Sequence, residues 1–316
     1  MTEKTSDHLG IIFPGQGSQS VGMLAELGEA FSVVADVFNE ASGVLGYDLW
    51  QRVQQGPGTL LNQTTSTQPA MLTAGVAVWR CWQAQGGPMP AVMAGHSLGE
   101  YTALVCADAL QFSDAVKLVE QRAQAMQAAV ADGEGAMAAI LGLDDEAVIK
   151  VCDEVAQGDV VSAVNFNSPG QVVIAGQATA VNRAIEAAKD AGAKRALLLP
   201  VSVPSHCALM QPAAEQLLAH LQDVDISSAK IPVLHNVDVS SHADAADIRQ
   251  VLAQQLYMPV RWVDTIRAMA DRGVSQLVEA GPGKVLTGLN KRIDKKLSAF
   301  AVQDSAGLEK ALEAIA

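Results

Sequence analysis

The chain has 316 residues, 49% of them hydrophobic and 17% charged, which is room for one large α/β domain or two smaller ones and too apolar for disorder. Its net charge of −13 argues against nucleic acid and anionic membranes as partners, since phosphate binding needs a basic face. Aromatics make up only 4%, so Ala, Val and Leu must fill the core, which suits helices packed on a parallel sheet.

The N-terminal segment has no basic region leading into an apolar stretch of signal-peptide length, and no window approaches 18 uninterrupted apolar residues. A cytoplasmic protein is expected. A frayed terminus would contain His8, ahead of a first strand in "LGIIFPG" (9–15). Helices follow across 22–45, and "TSTQPAMLTAGVAVWRCWQAQG" (65–86) is a long apolar helix stopped by Gly86, Gly87 and Pro88. "AVMAG" (91–95) is a second strand, with a helix after Ser97. The next helix covers 112–130, with Ser113 as its expected N-cap. Strand–helix–strand order implies a parallel sheet with right-handed crossovers.

A different rhythm occupies 132–201, where the elements run β-α-β-β-α-β, the order of a ferredoxin-like unit. The expected organisation is a large domain from 1–131 and 202–316, with a small domain, 132–201, inserted in it. The seams fall at "ADGEG" (131–135) and between Pro200 and Ser205. Beyond 205 come long helices and short strands, including strand, Gly-Pro-Gly turn and helix across 275–293. The cysteines (81, 106, 152 and 207) are widely spaced with no C-x-x-C, so free thiols are expected.

The chemistry centres on "GHSLGE" (95–100). A G-x-S-x-G string between an apolar strand and a helix is a nucleophile elbow. Small residues at Gly95 and Gly99 allow the tight turn that pushes Ser97 out at the helix N-terminus, where free N–H groups favour an oxyanion. The bland alternative is a glycine-rich helix start with Ser97 as its cap. The Leu98 N–H is one candidate oxyanion donor, and the turn "FPGQGSQ" (13–19) can aim the Gln16 N–H inward as a second. That turn lacks the spacing and the lysine of a phosphate loop.

Serine needs a base. Among six histidines, His206 in "LPVSVPSHCALM" follows the nucleophile in the chain order of α/β-hydrolases, while His96 adjoins Ser97 and can line the pocket floor. No acidic residue near His206 offers itself as the third group, so a backbone carbonyl could hold its ring. Arg122 shares a helix face with Leu118 and Met126. It either snorkels to solvent or is buried, and if buried it demands an anion. No metal site is expected: there is no H-E-x-x-H, and "HNVDVSSH" (235–242) reads as a polar loop. The glutamates, Glu100 and Glu279 among them, form no evident catalytic pair. A basic cluster at 283–296, which contains Lys291 and Arg292, and the pair Lys194–Arg195 stand against the acidic background. They form either a solvated face or a docking site for an acidic or phosphate-bearing partner.

Eight strings in order, "FPGQGSQ", "TQPA", "GHSLGE", "RAQAMQ", "NFNSPGQ", "VSVPSH", "QLYMPVRW" and "GPGKVLTGL", span nearly the whole chain. Together they resemble the malonyl-CoA:acyl-carrier-protein transacylases, relatives of the acyltransferase domains of polyketide and fatty-acid synthases. The resemblance implies an α/β-hydrolase-like large domain with a ferredoxin-like insert. It implies Ser97 as acylated nucleophile, His206 as base, Gln16 and Leu98 amides as oxyanion hole, and Arg122 as ligand of the malonyl carboxylate. It further implies that the Gln255 carbonyl orients His206 and that Met126 and Asn165 line the pocket. The implied substrates are malonyl-CoA and an acidic, transiently bound acyl carrier protein, with no cofactor and a monomeric enzyme. Ala123 departs from the glycine that many relatives carry after the arginine. The rival readings are a serine esterase or thioesterase and a non-catalytic carrier-binding subunit.

Overall fold

A computed structural model describes residues 4–201 and 203–315. Among them run nine strands: β1 (Thr5–Phe13), β2 (Met89–Gly95), β3 (Gly135–Leu141), β4 (Val161–Ser168), β5 (Gln171–Gln177), β6 (Arg195–Leu198), β7 (Val233–Leu234), β8 (Gln276–Ala280) and β9 (Ser298–Val302). They form two sheets, one ordered β7-β2-β1-β8-β9 and one ordered β4-β5-β3-β6.

The larger sheet is parallel throughout. Its central strand β1 buries every residue from Leu9 to Phe13, as expected of a strand covered on both faces. Helix Thr64–Ala84 is buried around nearly its whole circumference among neighbouring helices, with Gly75 close to Phe13 of β1 and Ala280 of β8. The smaller sheet is antiparallel, with the strand order of a ferredoxin-like unit. Helices Asp145–Val155 and Ala178–Asp190 cover one face, burying Val148, Cys152, Val181 and Ile185 against Ile140, Val172 and Ile174. The other face packs Met137, Val164 and Val173 against Cys207. The small sheet therefore closes over the segment that carries His206. The expected seam between Pro200 and Ser205 includes Ser202, which lies outside the described residues, as do residues 1–3 of the terminus.

Two local expectations are corrected. His8 is not in a frayed end: β1 begins at Thr5, because Thr5 and Ser6 already pair with Met89 and Pro90 of β2, and the His8 ring bonds the Gly273 carbonyl. Ser113 does not cap its helix. The helix runs Phe112–Ala128 from Gln111 with no side-chain cap, because buried Phe112 draws the first turn one residue earlier. All four cysteines are buried and free. No helix of the described residues is long and apolar enough to cross a membrane.

Candidate active site

The site is built where β2 passes into the helix Gly99–Cys106. Ser97 adopts φ +50°, a left-handed conformation rare outside glycine. Its flanking glycines are obligatory. A Cβ on Gly95 would lie 1.8 Å from the Gly99 carbonyl carbon, and one on Gly99 would lie 2.1 Å from the Phe13 oxygen. The hydroxyl of Ser97 is 2.8 Å from His206 Nε2. His206 also has positive φ, at +67°. Its backbone N–H donates to Leu256, and its Nδ1–H donates to the Gln255 carbonyl at 2.7 Å. A carbonyl can only accept, so Nδ1 keeps the proton and Nε2 is left with a lone pair facing the serine.

Burial and then the Arg122 guanidinium push His206 down to about 3. The ring is thus neutral near pH 7, a weak base whose Nε2 lone pair is free to accept from the serine. The same shift carries a stability consequence. Between pH 6.5 and about 3 the unfolded chain protonates this histidine and the folded chain does not, so its contribution is intact above 6.5 and declines as pH falls. Denaturant titrations at pH 7.5 and 5 are expected to show a larger acid loss for the native protein than for His206→Asn. Equal losses would contradict the shift.

Arg122 is 1% exposed, which resolves the choice between snorkelling and burial. One nitrogen donates to Gln68 Oε1 at 2.8 Å, the other to Gln255 Oε1 at 2.9 Å and, more weakly, to Ser97 Oγ at 3.4 Å. Its Nε has no partner among the described residues. The guanidinium also approaches the face of Tyr101, at 5.4 Å. A guanidinium does not lose its proton in a protein. It is therefore a buried cation held by neutral acceptors, with no carboxylate in salt-bridge contact among the described residues.

Gln16, His96, Ser97, Leu98, Arg122, Met126, Asn165 and His206 line one cavity of about 110 Å³, which β3 and the segment after β6 close with Met137, Leu199 and Val201. Backbone N–H groups of Gln16 and Leu98 make no hydrogen bond among the described residues. The Gln16 turn is drawn onto the elbow because Gly15 has no side chain: a Cβ there would meet the His96 carbonyl oxygen at 2.4 Å. His96 bonds Asn167 at 2.8 Å, and buried Asn165 Oδ1 has no partner among the described residues.

Residues 11–311 match the acyl transferase domain family. A malonyl CoA-acyl carrier protein transacylase of Salmonella typhimurium is 60% identical over 301 residues, 95% of this chain and 97% of that protein. The crystal structure of an acyl carrier protein S-malonyltransferase from Vibrio cholerae aligns with a TM-score of 0.94 at 59% identity, covering 96% of this chain and 99% of that one. A malonyl-transacylase solved in complex with its type II PKS acyl-carrier protein aligns with a TM-score of 0.96 at 58% identity, over 97% and 99% of the two chains. The chain belongs to the malonyl CoA-acyl carrier protein transacylase family. It is an acyltransferase of α/β-hydrolase-like fold.

Several polar side chains of this transacylase have roles that their strings do not signal. Gln68, inside the quoted "TQPA", holds Arg122. Glu100, inside "GHSLGE", is fully buried and accepts from His235 Nδ1, the Asn236 N–H and Gln255 Nε2. The loop "HNVDVSSH" is polar, as expected, but His235 and Asn236 turn inward beneath the elbow rather than outward to solvent. Gln255 contributes its side chain as well as its carbonyl, bridging Arg122, Glu100 and the Ser97 carbonyl.

The four basic residues lie outside the cavity and gather at one corner. Arg195 of β6 pairs with Leu141, which pairs with Gln171 of β5, and Arg292 donates to the Gln171 side chain at 2.9 Å. Two strand spacings, about 10 Å, thus separate the Arg195 and Gln171 backbones. Lys194 packs on Gly142 beside them, and Lys291 is exposed on the helix Val285–Ile293. Met137, at the cavity, is four residues along β3 from Leu141, about 13 Å away.

Proposed function

We propose that this acyltransferase moves the malonyl group from malonyl-CoA to the phosphopantetheine thiol of acyl carrier protein through a malonyl-serine ester, supplying extender units for fatty-acid synthesis. The observation that carries the reading is Arg122: a fully buried cation, 3.4 Å from the Ser97 hydroxyl, whose direct hydrogen-bond partners among the described residues are all neutral, the Glu100 carboxylate lying beyond Gln255. A hydrolase of uncharged esters has no need of such a group. A short acyl chain with a free carboxylate supplies the two oxygens a guanidinium takes best.

The geometry supports the following steps. His206 Nε2 takes the Ser97 proton as the oxygen attacks the thioester carbonyl. The N–H groups of Leu98 and Gln16 receive the oxyanion, and the Gln255 carbonyl steadies the imidazolium through Nδ1–H. Collapse expels the CoA thiolate, which takes the proton from His206, and leaves the ester on Ser97. The carrier's thiol then gives its proton to His206 and attacks the ester, and Ser97 recovers the proton as the product thioester leaves. Thioester is exchanged for thioester, so transfer is close to thermoneutral and runs in both directions. Two half-reactions on one serine give ping-pong kinetics.

The test is CoA release with and without holo-carrier. Without carrier, one equivalent of CoA per enzyme is expected, followed by a slow phase; with carrier, continuous turnover. Rapid multiple turnover without carrier would replace this reading with a thioesterase. The basic corner of Lys194, Arg195, Lys291 and Arg292 is assigned to docking of the acidic carrier. Reversing Lys291 and Arg292 to glutamate is expected to raise the KM for carrier several-fold and leave acylation by malonyl-CoA unchanged. Equal effects on both half-reactions would remove the docking role.

A further inference from the structure

Beneath the elbow, Asn236 makes four hydrogen bonds, one with each of its polar groups. Its Oδ1 accepts from the Ser97 N–H at 2.7 Å, and its Nδ2 donates to the Gly95 carbonyl at 2.7 Å. Its backbone N–H donates to Glu100 Oε2 at 2.9 Å, and its carbonyl accepts from Arg261 N–H at 3.2 Å. Ser97 N can only donate and Gly95 O can only accept, so the orientation of the amide is forced. The side chain is fully buried.

The loop that delivers it is itself held in a costly shape. Two residues of β7 pair with Met93 and Ala94 of β2, and the chain then turns back so that the His235 and Ser240 backbones bond. Val239 in that turn has φ +61°, a conformation disfavoured for a β-branched residue. Strain of this kind persists only where its surroundings over-determine it. The Val239 N–H donates to the His235 carbonyl, and at the base of the turn stands Glu100, one turn beyond Ser97, whose carboxylate gathers the His235 ring, the Asn236 amide and the Gln255 side chain.

We propose that Asn236, anchored by Glu100, is a positioning residue for the oxyanion site: it engages the Ser97 amide and grips Gly95, holding the elbow so that the Leu98 and Gln16 amides alone face the reacting carbonyl. The inference rests on Ser97 being the acylated nucleophile. It concerns the strength and aim of the oxyanion donors, not the recognition of the acyl group, which belongs to Arg122. Loss of Asn236 therefore slows attack on any acyl thioester, charged or not, by one common factor.

The test is single-turnover acylation followed by intact mass, with malonyl-CoA and acetyl-CoA, on the native protein, Asn236→Ala and Asn236→Asp. Asn236→Ala is expected to slow both donors equally, on the order of 10- to 100-fold, the scale of a weakened oxyanion donor, with the preference between donors and the KM for CoA substrates unchanged. Asn236→Asp adds a readout that a purely structural role does not move. As an ionised carboxylate it accepts from Ser97 N–H but cannot donate to Gly95. As a neutral acid it restores both bonds. Its rate relative to native is therefore expected to rise as pH falls, and this arm decides the matter if Asn236→Ala does not fold. A native acylation rate in Asn236→Ala, a change confined to one donor, or a pH-independent deficit in Asn236→Asp would overturn the proposal while leaving Ser97 acylation in place. Absence of acylation in the native protein itself would overturn both.

Discussion

Ser97→Ala is expected to leave no acyl-enzyme at all. Incubated with malonyl-CoA, the native protein gains one malonyl mass; the variant gains none, and transfer to carrier falls by roughly 10⁶-fold, the scale seen when a serine nucleophile is removed from its base. The expectation is sharp because, among the described residues, the hydroxyl is the one group with a hydrogen bond to the His206 Nε2 lone pair. Cys207, next in the chain, is a poor substitute. Burial pushes its thiol up to about 11, and its sulfur is turned toward the Pro204 carbonyl at 3.1 Å. A malonyl adduct that persists in Ser97→Ala would show that the elbow is not the point of attachment and would dismantle the proposed mechanism at its first step.

The second large effect is on selectivity. Arg122→Ala is expected to lose malonyl transfer while keeping or gaining acetyl transfer. A charge-assisted pair contributes about 1.5–3 kcal/mol, roughly ten- to a hundredfold. An acyl group without a carboxylate would leave the buried guanidinium without an anionic ligand, so the native protein is expected to reject it more strongly than a missing methylene could cause. Acetyl transfer serves as the internal control. Gln255 touches Arg122 with its side chain and His206 with its carbonyl, so damage spreading through Gln255 to the base would depress both donors together. The measurement is the ratio of acylation rates for malonyl-CoA and acetyl-CoA. An unchanged ratio would remove the role assigned to Arg122.

What the sequence made legible depends on how far each feature reaches along the chain. The elbow is a local object: two glycines four apart, a strand before and a helix after are enough to see Ser97 raised on a turn. The alternation of the 132–201 segment is likewise local, and the antiparallel sheet and its two helices follow it closely. Arg122 was visible as a residue on an apolar helix face, but its burial was not, because the groups that hold it, Gln68 and Gln255, come from 54 and 133 residues away. Asn236 was harder still. Its string is that of any polar loop, and only the approach of β7 to β2 brings it under Ser97, 139 residues distant. The partner of His206 Nδ1 is a backbone carbonyl, which no residue type announces.

Arg122 has one more consequence, and it acts in time rather than in space. Its charge is the second cause, after burial, of the weak basicity of His206. On the mechanism proposed above, a malonyl carboxylate bound to the guanidinium would offset that part of the field and leave the larger effect of burial in place, so a charged donor would raise the proton affinity of His206 where a neutral one would not. Acylation by malonyl-CoA and by acetyl-CoA would then differ in pH profile as well as in rate.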